Sequence, residues 1–171
     1  MKIGLLSDTH GYLDPKVFDY FAACDELWHA GDIGSMEVAV ALEQFKPVKA
    51  VYGNIDDSTL RAKYPEDLWF ECEGVEILMT HIAGAPPRYN PRIKKILASR
   101  TPAVLVCGHS HILRVIIDKA RNLVYLNPEA AGQQGFHLMR TILRFEITGG
   151  MVANMEVIEL GKRGQIVGSR Q

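Results

Sequence analysis

The sequence predicts an α/β domain in which two β-sheets pack face to face with helices outside. Two observations carry this. The opening third alternates short apolar runs with segments of helical spacing, a β-α-β-α-β order that implies a parallel sheet with right-handed crossovers. The rest is dominated by strand candidates separated by turn residues, and so is richer in antiparallel pairing. At 171 residues the chain is one domain's length, assigned as 1–171, and long enough to bury a sizeable core.

Residues 2–7 (KIGLLS) are almost entirely apolar, as expected of a strand covered on both faces. Pro15 suits a helix start, with Phe18, Phe21 and Ala22 following at helical spacing. Residues 26–30 (ELWHA) form a second short strand. Ser35 is placed to cap a helix over roughly 36–45, with Pro47 just beyond it. Residues 48–52 (VKAVY) complete the parallel set. Segments 67–72 and 75–80 flank Glu73-Gly74 and read as a hairpin. A helix over roughly 91–100 leads to a strand at 103–107 (AVLVC). Strands at 112–118, 122–126, 139–147 and 151–160 follow, the last two joined at Gly149-Gly150. Residues 161–171 read as a frayed polar tail.

Charge and composition narrow the partners. Nineteen basic and twenty acidic side chains leave a net charge of -1, mixed along the chain. Without a basic stripe, no long nucleic acid is expected as a partner. No signal peptide and no membrane-length apolar run are read, so the expectation is a cytoplasmic protein away from membranes. Cys24, Cys72 and Cys107 lack metal or redox spacing and are expected to be reduced thiols.

Five polar clusters end apolar runs: Asp8-Thr9-His10-Gly11, Gly31-Asp32, Gly53-Asn54-Ile55-Asp56, Thr80-His81 and Gly108-His109-Ser110-His111. Carboxyl ends of strands are where sites form in open α/β sheets. Side chains two apart on a strand point the same way, so Asp8 with His10, and His109 with His111, are expected to converge. With Asp56 set aside, the clusters offer two carboxylates, four imidazoles and an amide: Asp8, His10, Asp32, Asn54, His81, His109 and His111. Four imidazoles favour Mn, Fe, Co, Ni or Zn over Mg²⁺ or Ca²⁺. Two dications against Asp8 and Asp32 leave surplus positive charge. That surplus lowers the pKa of bound water, as one zinc does to about 7, and attracts an anionic phosphate ester. Ions about 3.5–4 Å apart can hold a hydroxide and clamp phosphoryl oxygens.

These residues resemble the motif set of the calcineurin-like metallophosphoesterases, and size and spelling are most similar to the small YfcE-type phosphodiesterase branch. The pattern there is D-x-H, GD, GN-x-D, a lone His after an apolar strand, and GH-x-H, and the match spans roughly residues 1–130. The resemblance implies a four-layer α-β-β-α sandwich with two mixed sheets. It implies that Asp8, His10 and His111 hold one ion, that Asn54, His81 and His109 hold the other, and that Asp32 bridges. It implies a dinuclear phosphodiesterase using a bridging hydroxide, with manganese ranked first and nickel, iron, cobalt or zinc as alternatives. The partner is then a small phosphate ester, and homo-oligomerisation is left open. Asn54 and Asp56 are the candidate catalytic residues. Asn54 would stabilise the phosphoryl oxygens. Asp56 is expected to orient neighbours or cap the turn, with direct acid catalysis the alternative.

Three positions depart from the pattern. Ile55 stands where relatives carry His or Cys, and cannot protonate a leaving group. Ile82 stands where Gly is usual. Asn127-Pro128-Glu129-Ala130 replaces an Asn-Pro-Gly-Ser loop, so Glu129 either brings negative charge to the pocket or faces water. Beyond these, His29 is expected to be hydrogen-bonded near the site, or else to support a ligand from behind. His137 is expected to face solvent, or to reach substrate from its loop. Arg88, Arg92, Lys94 and Lys95 read as a solvated helix face, with phosphate contact the alternative. Trp28 and Trp69 read as core or sheet-face residues. Two further functions compete: a phosphomonoesterase or nucleotidase, which Ile55 disfavours, and a non-catalytic scaffold like the retromer subunit that shares the fold.

Overall fold

The computed structural model describes residues 1–164. The elements run β1 (Lys2–Leu6), α1 (Lys16–Tyr20), β2 (Glu26–His29), α2 (Met36–Phe45), β3 (Val48–Ala50), α3 (Ser58–Lys63), β4 (Asp67–Cys72) and β5 (Val75–Thr80). They continue with β6 (Gly84–Ala85), β7 (Arg88–Tyr89), α4 (Pro91–Ser99), β8 (Val104–Val106), β9 (Leu113–Asp118), β10 (Leu123–Pro128), β11 (Met139–Thr148) and β12 (Met151–Lys162). The first sheet has the order β12-β11-β1-β2-β3 and the second β4-β5-β8-β10-β9. In each, three parallel strands sit beside antiparallel ones: β11 and β12 in the first, β4 and β9 in the second. Both sheets are therefore mixed.

Alternation along the strands explains the layering. Ile3 and Leu5 of β1 face the second sheet, meeting Ile77, Met79, Val104 and Val106 in the central core. Leu6 turns outward onto the helices, where Val17, Phe21, Val38, Leu42 and Leu60 cover the first sheet. Leu78 and Leu105 point the other way from their neighbours and pack under Ile93 and Leu97 of α4. Strands covered on both faces need apolar side chains at successive positions, which is why β1 and β8 are continuous apolar runs. The result is a four-layer α-β-β-α sandwich. Trp28 fills its centre, edge-on to Phe70 at 5.0 Å and Phe145 at 5.5 Å. Its buried Nε1–H donates to Glu26 at 2.7 Å, meeting the requirement that a buried indole find a partner.

Several expectations change. The two sheets do not divide the chain at its middle: β11 returns to pair with β1, Lys2 opposite Glu146 and Leu5 opposite Leu143. The helix α3 was not foreseen. It is only six residues long, held by the Asp57 side chain, which accepts from the Thr59 and Leu60 N–H groups. Residues 161 and 162, expected in a frayed tail, continue β12; residues 165–171 of that tail lie outside the described residues. Among the described residues, no helix is long and apolar enough to cross a membrane. Cys24, Cys72 and Cys107 are free and buried.

Candidate metal centre

All five clusters lie just beyond strand ends on one rim of the sandwich. Asp8 and His10 follow β1, Asp32 follows β2, and Asn54 follows β3 on the first sheet. His81 follows β5, and His109 and His111 follow β8 on the second. The structure brings all seven side chains together. Asp8, His10 and His111 form one group, and Asp32, His81 and His109 another, each compact enough to hold an ion. Asn54 joins the second group, its Oδ1 lying 2.9 Å from His109 Nδ1 and 3.1 Å from His81 Nε2. The groups touch through Asp32, whose Oδ2 is 3.3 Å from His81 Nε2 and 3.7 Å from His10 Nε2.

The convergence does not arise from strand alternation, as the sequence suggested. The strands end before the ligands begin. Asp8, His10, Asp32, His109 and His111 all have positive φ, between 49° and 66°. That left-handed region is sparsely used by residues with a Cβ, although Asp and His are among those that enter it. Each such residue costs on the order of 1–3 kcal/mol and clusters at functional sites.

Hydrogen bonds behind the ligands set which atoms face the centre. The Asp8 Oδ2 accepts from Ser7 Oγ at 2.6 Å and from the His109 N–H at 3.1 Å. Its Oδ1 is left to face His111 Nε2 at 3.1 Å. The His81 Nδ1–H donates to the Ala30 carbonyl at 2.7 Å, so the Nε2 lone pair points inward. Burial works to lower the His81 pKa. The Asp32 hydrogen bond and the charges of Asp8 and Asp32 outweigh it and leave the pKa raised. Burial likewise opposes ionisation of Asp32, yet His81 and the Ile55 N–H hold its carboxyl below the usual range. The cluster thus carries a net demand for positive charge. His10 Nε2 is buried with no hydrogen-bond partner, and its distances to Asp8 and Asp32 are too long for one. An orphaned ring nitrogen between two carboxylates fits a divalent cation.

Asp56 lies behind the candidate ligands, tied to backbone. It is buried, and its carboxylate accepts from the N–H groups of Gly53 at 2.8 Å, Gly34 at 2.7 Å and Ile33 at 3.2 Å. It ties the loop after β3 to the loop after β2. Gly53 matters to the same junction: a Cβ there would lie 2.0 Å from Asp32 Oδ1. Arg61 was not singled out from the sequence, because a lone basic residue carries no signal. It donates to the carbonyls of Asp56 at 2.7 Å and Asn54 at 3.0 Å, bracing the loop that presents Asn54.

His29 is buried behind the site. It accepts from the Gly31 N–H at Nδ1 (3.2 Å), so its Nε2–H faces Thr9 Oγ1 at 2.9 Å. Burial pushes its pKa down to about 4, so the ring is neutral. His137, expected to face solvent, is buried against the His111 ring at 5.1 Å. The reason is its Nε2–H, which donates to the Gly132 carbonyl at 3.1 Å and folds the loop inward. Glu129 is half-buried beside the Thr141 hydroxyl at 2.9 Å. Arg92 departs from the solvated face: it pairs with Asp67 at 2.5 Å and donates to Thr80 Oγ1 at 2.9 Å. Arg88, Lys94 and Lys95 are exposed. Trp69 is partly buried, with the Arg100 guanidinium stacked 4.2 Å from its ring.

Comparison with known proteins gives the family and the fold. Residues 1–150 match the calcineurin-like phosphoesterase superfamily domain. A probable metallophosphoesterase of Methanocaldococcus jannaschii is 34% identical over 135 residues, covering 75% of this chain and 67% of that one. Among solved structures, a novel archaeal phosphodiesterase superposes with a TM-score of 0.74 at 21% identity, covering 94% of this chain and all of that one. Vps29 of Chaetomium thermophilum superposes with a TM-score of 0.74 at 14% identity, covering 95% and 99%.

Proposed function

The chain belongs to the calcineurin-like phosphoesterase superfamily, and from that premise we propose that it is a metal-dependent phosphodiesterase built on a dinuclear centre. One observation carries the reading: Asp32 Oδ2 stands between His81 Nε2 of one ligand group and His10 Nε2 of the other. A carboxylate so placed is suited to be shared. Asp8, His10 and His111 would hold one ion, and Asn54, His81 and His109 the second. Once bound, two such ions supply Lewis acidity, making water acidic and neutralising charge on phosphoryl oxygens. Manganese is the first choice, with nickel, iron, cobalt or zinc as alternatives.

The protein's own contribution is placement. Ser7, Ala30, Asp56 and Arg61 lock the ligands and their loops before substrate arrives, which is electrostatic preorganisation. The Asn54 amide lies beside His81 and His109, where its N–H₂ can meet a phosphoryl oxygen. Ile55 is exposed at the site and brings no proton for a leaving group. A diester with an acidic alcohol needs none, whereas a monoester with a poor leaving group does. This favours diesters over monoesters.

Replacing Asp32 by Asn, or His109 by Ala, is expected to lower bound manganese and to abolish most hydrolysis of bis(4-nitrophenyl) phosphate. Unchanged turnover in either variant refutes the assignment. Comparison with 4-nitrophenyl phosphate separates diesterase from monoesterase. The likeness to Vps29 raises a scaffold role as the alternative, but the complete donor set favours an enzyme. Three free, buried cysteines support a reducing, cytoplasmic setting.

A further inference from the structure

A cavity of about 580 Å³ opens directly onto the candidate ligands. Its floor includes His10, Asp32, Asn54, His109 and His111; much of the remaining wall is Ile55, Ile112, Leu113 and Phe136. Ile55 is 46% exposed, Ile112 48%, and Phe136 is fully exposed. One exposed apolar side chain is ordinary, but three converging on a polar donor cluster are not.

Phe136 is held there rather than left to wander. Gly135 before it has φ +123°, and a Cβ would lie 2.1 Å from His111 Nδ1. Only glycine lets the loop press onto that ring. His137 after it is buried, bonded to Gly132, and its carbonyl accepts from Arg163 Nε at 2.9 Å. The loop is pinned on both sides of a phenyl ring that has nothing of its own to pack on.

The charge pattern disfavours esters that carry a second anion. Among the described residues, no lysine or arginine lines this cavity, and Glu129, outside the ligand set, offers a second anion no partner. A neighbouring cavity of about 300 Å³ does contain Arg61 and Arg92. Those guanidiniums are already engaged, Arg61 by backbone carbonyls and Arg92 by Asp67 and Thr80.

We infer that the cavity selects singly charged phosphodiesters carrying an aryl or alkyl group, which lies against Ile55, Ile112 and Phe136, over esters that set a polar sugar against that wall or carry a second phosphate. The inference rests on the phosphodiesterase reading and names its substrate class. Bringing an aryl ring out of water onto these side chains is worth roughly tenfold or more in affinity.

The test keeps the leaving group constant and varies the retained ester. Manganese-loaded protein is assayed with 4-nitrophenyl phenyl phosphate, 4-nitrophenyl methyl phosphate and thymidine 5′-(4-nitrophenyl) phosphate. Binding of the inert anions diphenyl phosphinate and dimethyl phosphinate is measured by calorimetry. The phenyl ester is expected to exceed the methyl ester in kcat/KM by about tenfold, and the thymidine ester to fall below the phenyl ester. Diphenyl phosphinate is expected to bind about tenfold tighter than dimethyl phosphinate. Phe136→Ser and Ile112→Ser each shrink both ratios at least threefold. Ile117→Ser, also exposed but outside the cavity, leaves them as they are. Ratios within twofold, or a preferred thymidine ester, overturn the inference and leave the phosphodiesterase standing. Hydrolysis of no diester removes the phosphodiesterase reading instead, and the phosphinate ratio then decides the selectivity alone.

Discussion

Replacing Gly53 by Ala isolates the steric requirement of the Asp32 carboxylate, which we propose is shared. The added Cβ would fall 2.0 Å from Asp32 Oδ1 and 2.3 Å from the Asp32 backbone nitrogen. Ordinary contact begins near 3.4 Å, so something must retreat by roughly an ångström or more. The nitrogen belongs to the main chain, and Oδ1 is bonded to the Ile55 N–H at 3.0 Å. The loop after β3 is therefore what moves, stretching the Asp56–Gly53 bond of 2.8 Å. Overpacking costs about 1–3 kcal/mol, and one charge-assisted hydrogen bond about 1.5–3 kcal/mol. Together they predict a loss of about 2.5–6 kcal/mol in urea denaturation. Displacing Asn54 and Asp32 by about 1 Å predicts roughly a hundredfold loss in turnover of bis(4-nitrophenyl) phosphate. Bound manganese should fall in elemental analysis. A Gly53→Ala protein with wild-type manganese content and turnover would show that close approach at this junction is not required.

Other outcomes follow from single features. Arg140 and Asp14 form a fully buried ion pair at 2.8 Å, so Asp14→Ala should cost about 3–5 kcal/mol; the double variant Asp14→Leu/Arg140→Met should recover much of that, and equal denaturation midpoints for wild type and Asp14→Ala refute it. His29 has its pKa depressed from 6.5 to about 4 by burial. The unfolded chain binds the extra proton between those values, so the ring's contribution is complete above pH 6.5 and is lost as pH falls toward 4. That amounts to on the order of 3 kcal/mol. The urea midpoint of His29→Gln should show a shallower acid slope than wild type, and parallel profiles refute it. Manganese at one hundred times its Kd should stabilise the fold by about 2.7 kcal/mol, raising Tm by about 5–10 °C for a chain of this size. Asp32→Asn should lose most of that rise in a thermal melt.

Much of the architecture was readable because local chemistry and tertiary role agree. Ser35, the spacing to Phe45 and the following Pro47 place α2 over the residues it occupies. Glu73-Gly74 marks the β4–β5 turn, both residues having positive φ. The candidate ligands were readable because each sits where an apolar run stops. What escaped was set by distant partners. The pairing of β11 with β1 joins residues more than a hundred positions apart, and no local pattern selects that edge. The helix α3 buries only Leu60, so it has no apolar periodicity, although Asp57-Ser58-Thr59 carries its cap. His137 reads as a loop residue because its burial comes from the Gly132 carbonyl and the His111 ring. The left-handed backbone under the ligands was hidden for a related reason: Asp and His enter that region only where surrounding loops insist on it.

The seven candidate ligands are drawn from both walls of the sandwich, Asp8, His10, Asp32 and Asn54 from one and His81, His109 and His111 from the other. Any cation seated there is a rivet across the seam, added to the greasy side chains and the hydrogen bonds that already join the halves. Chelation should then do more than silence the protein: the rim ought to gape first, and amide protons along it to exchange ahead of those in the middle of the sheets.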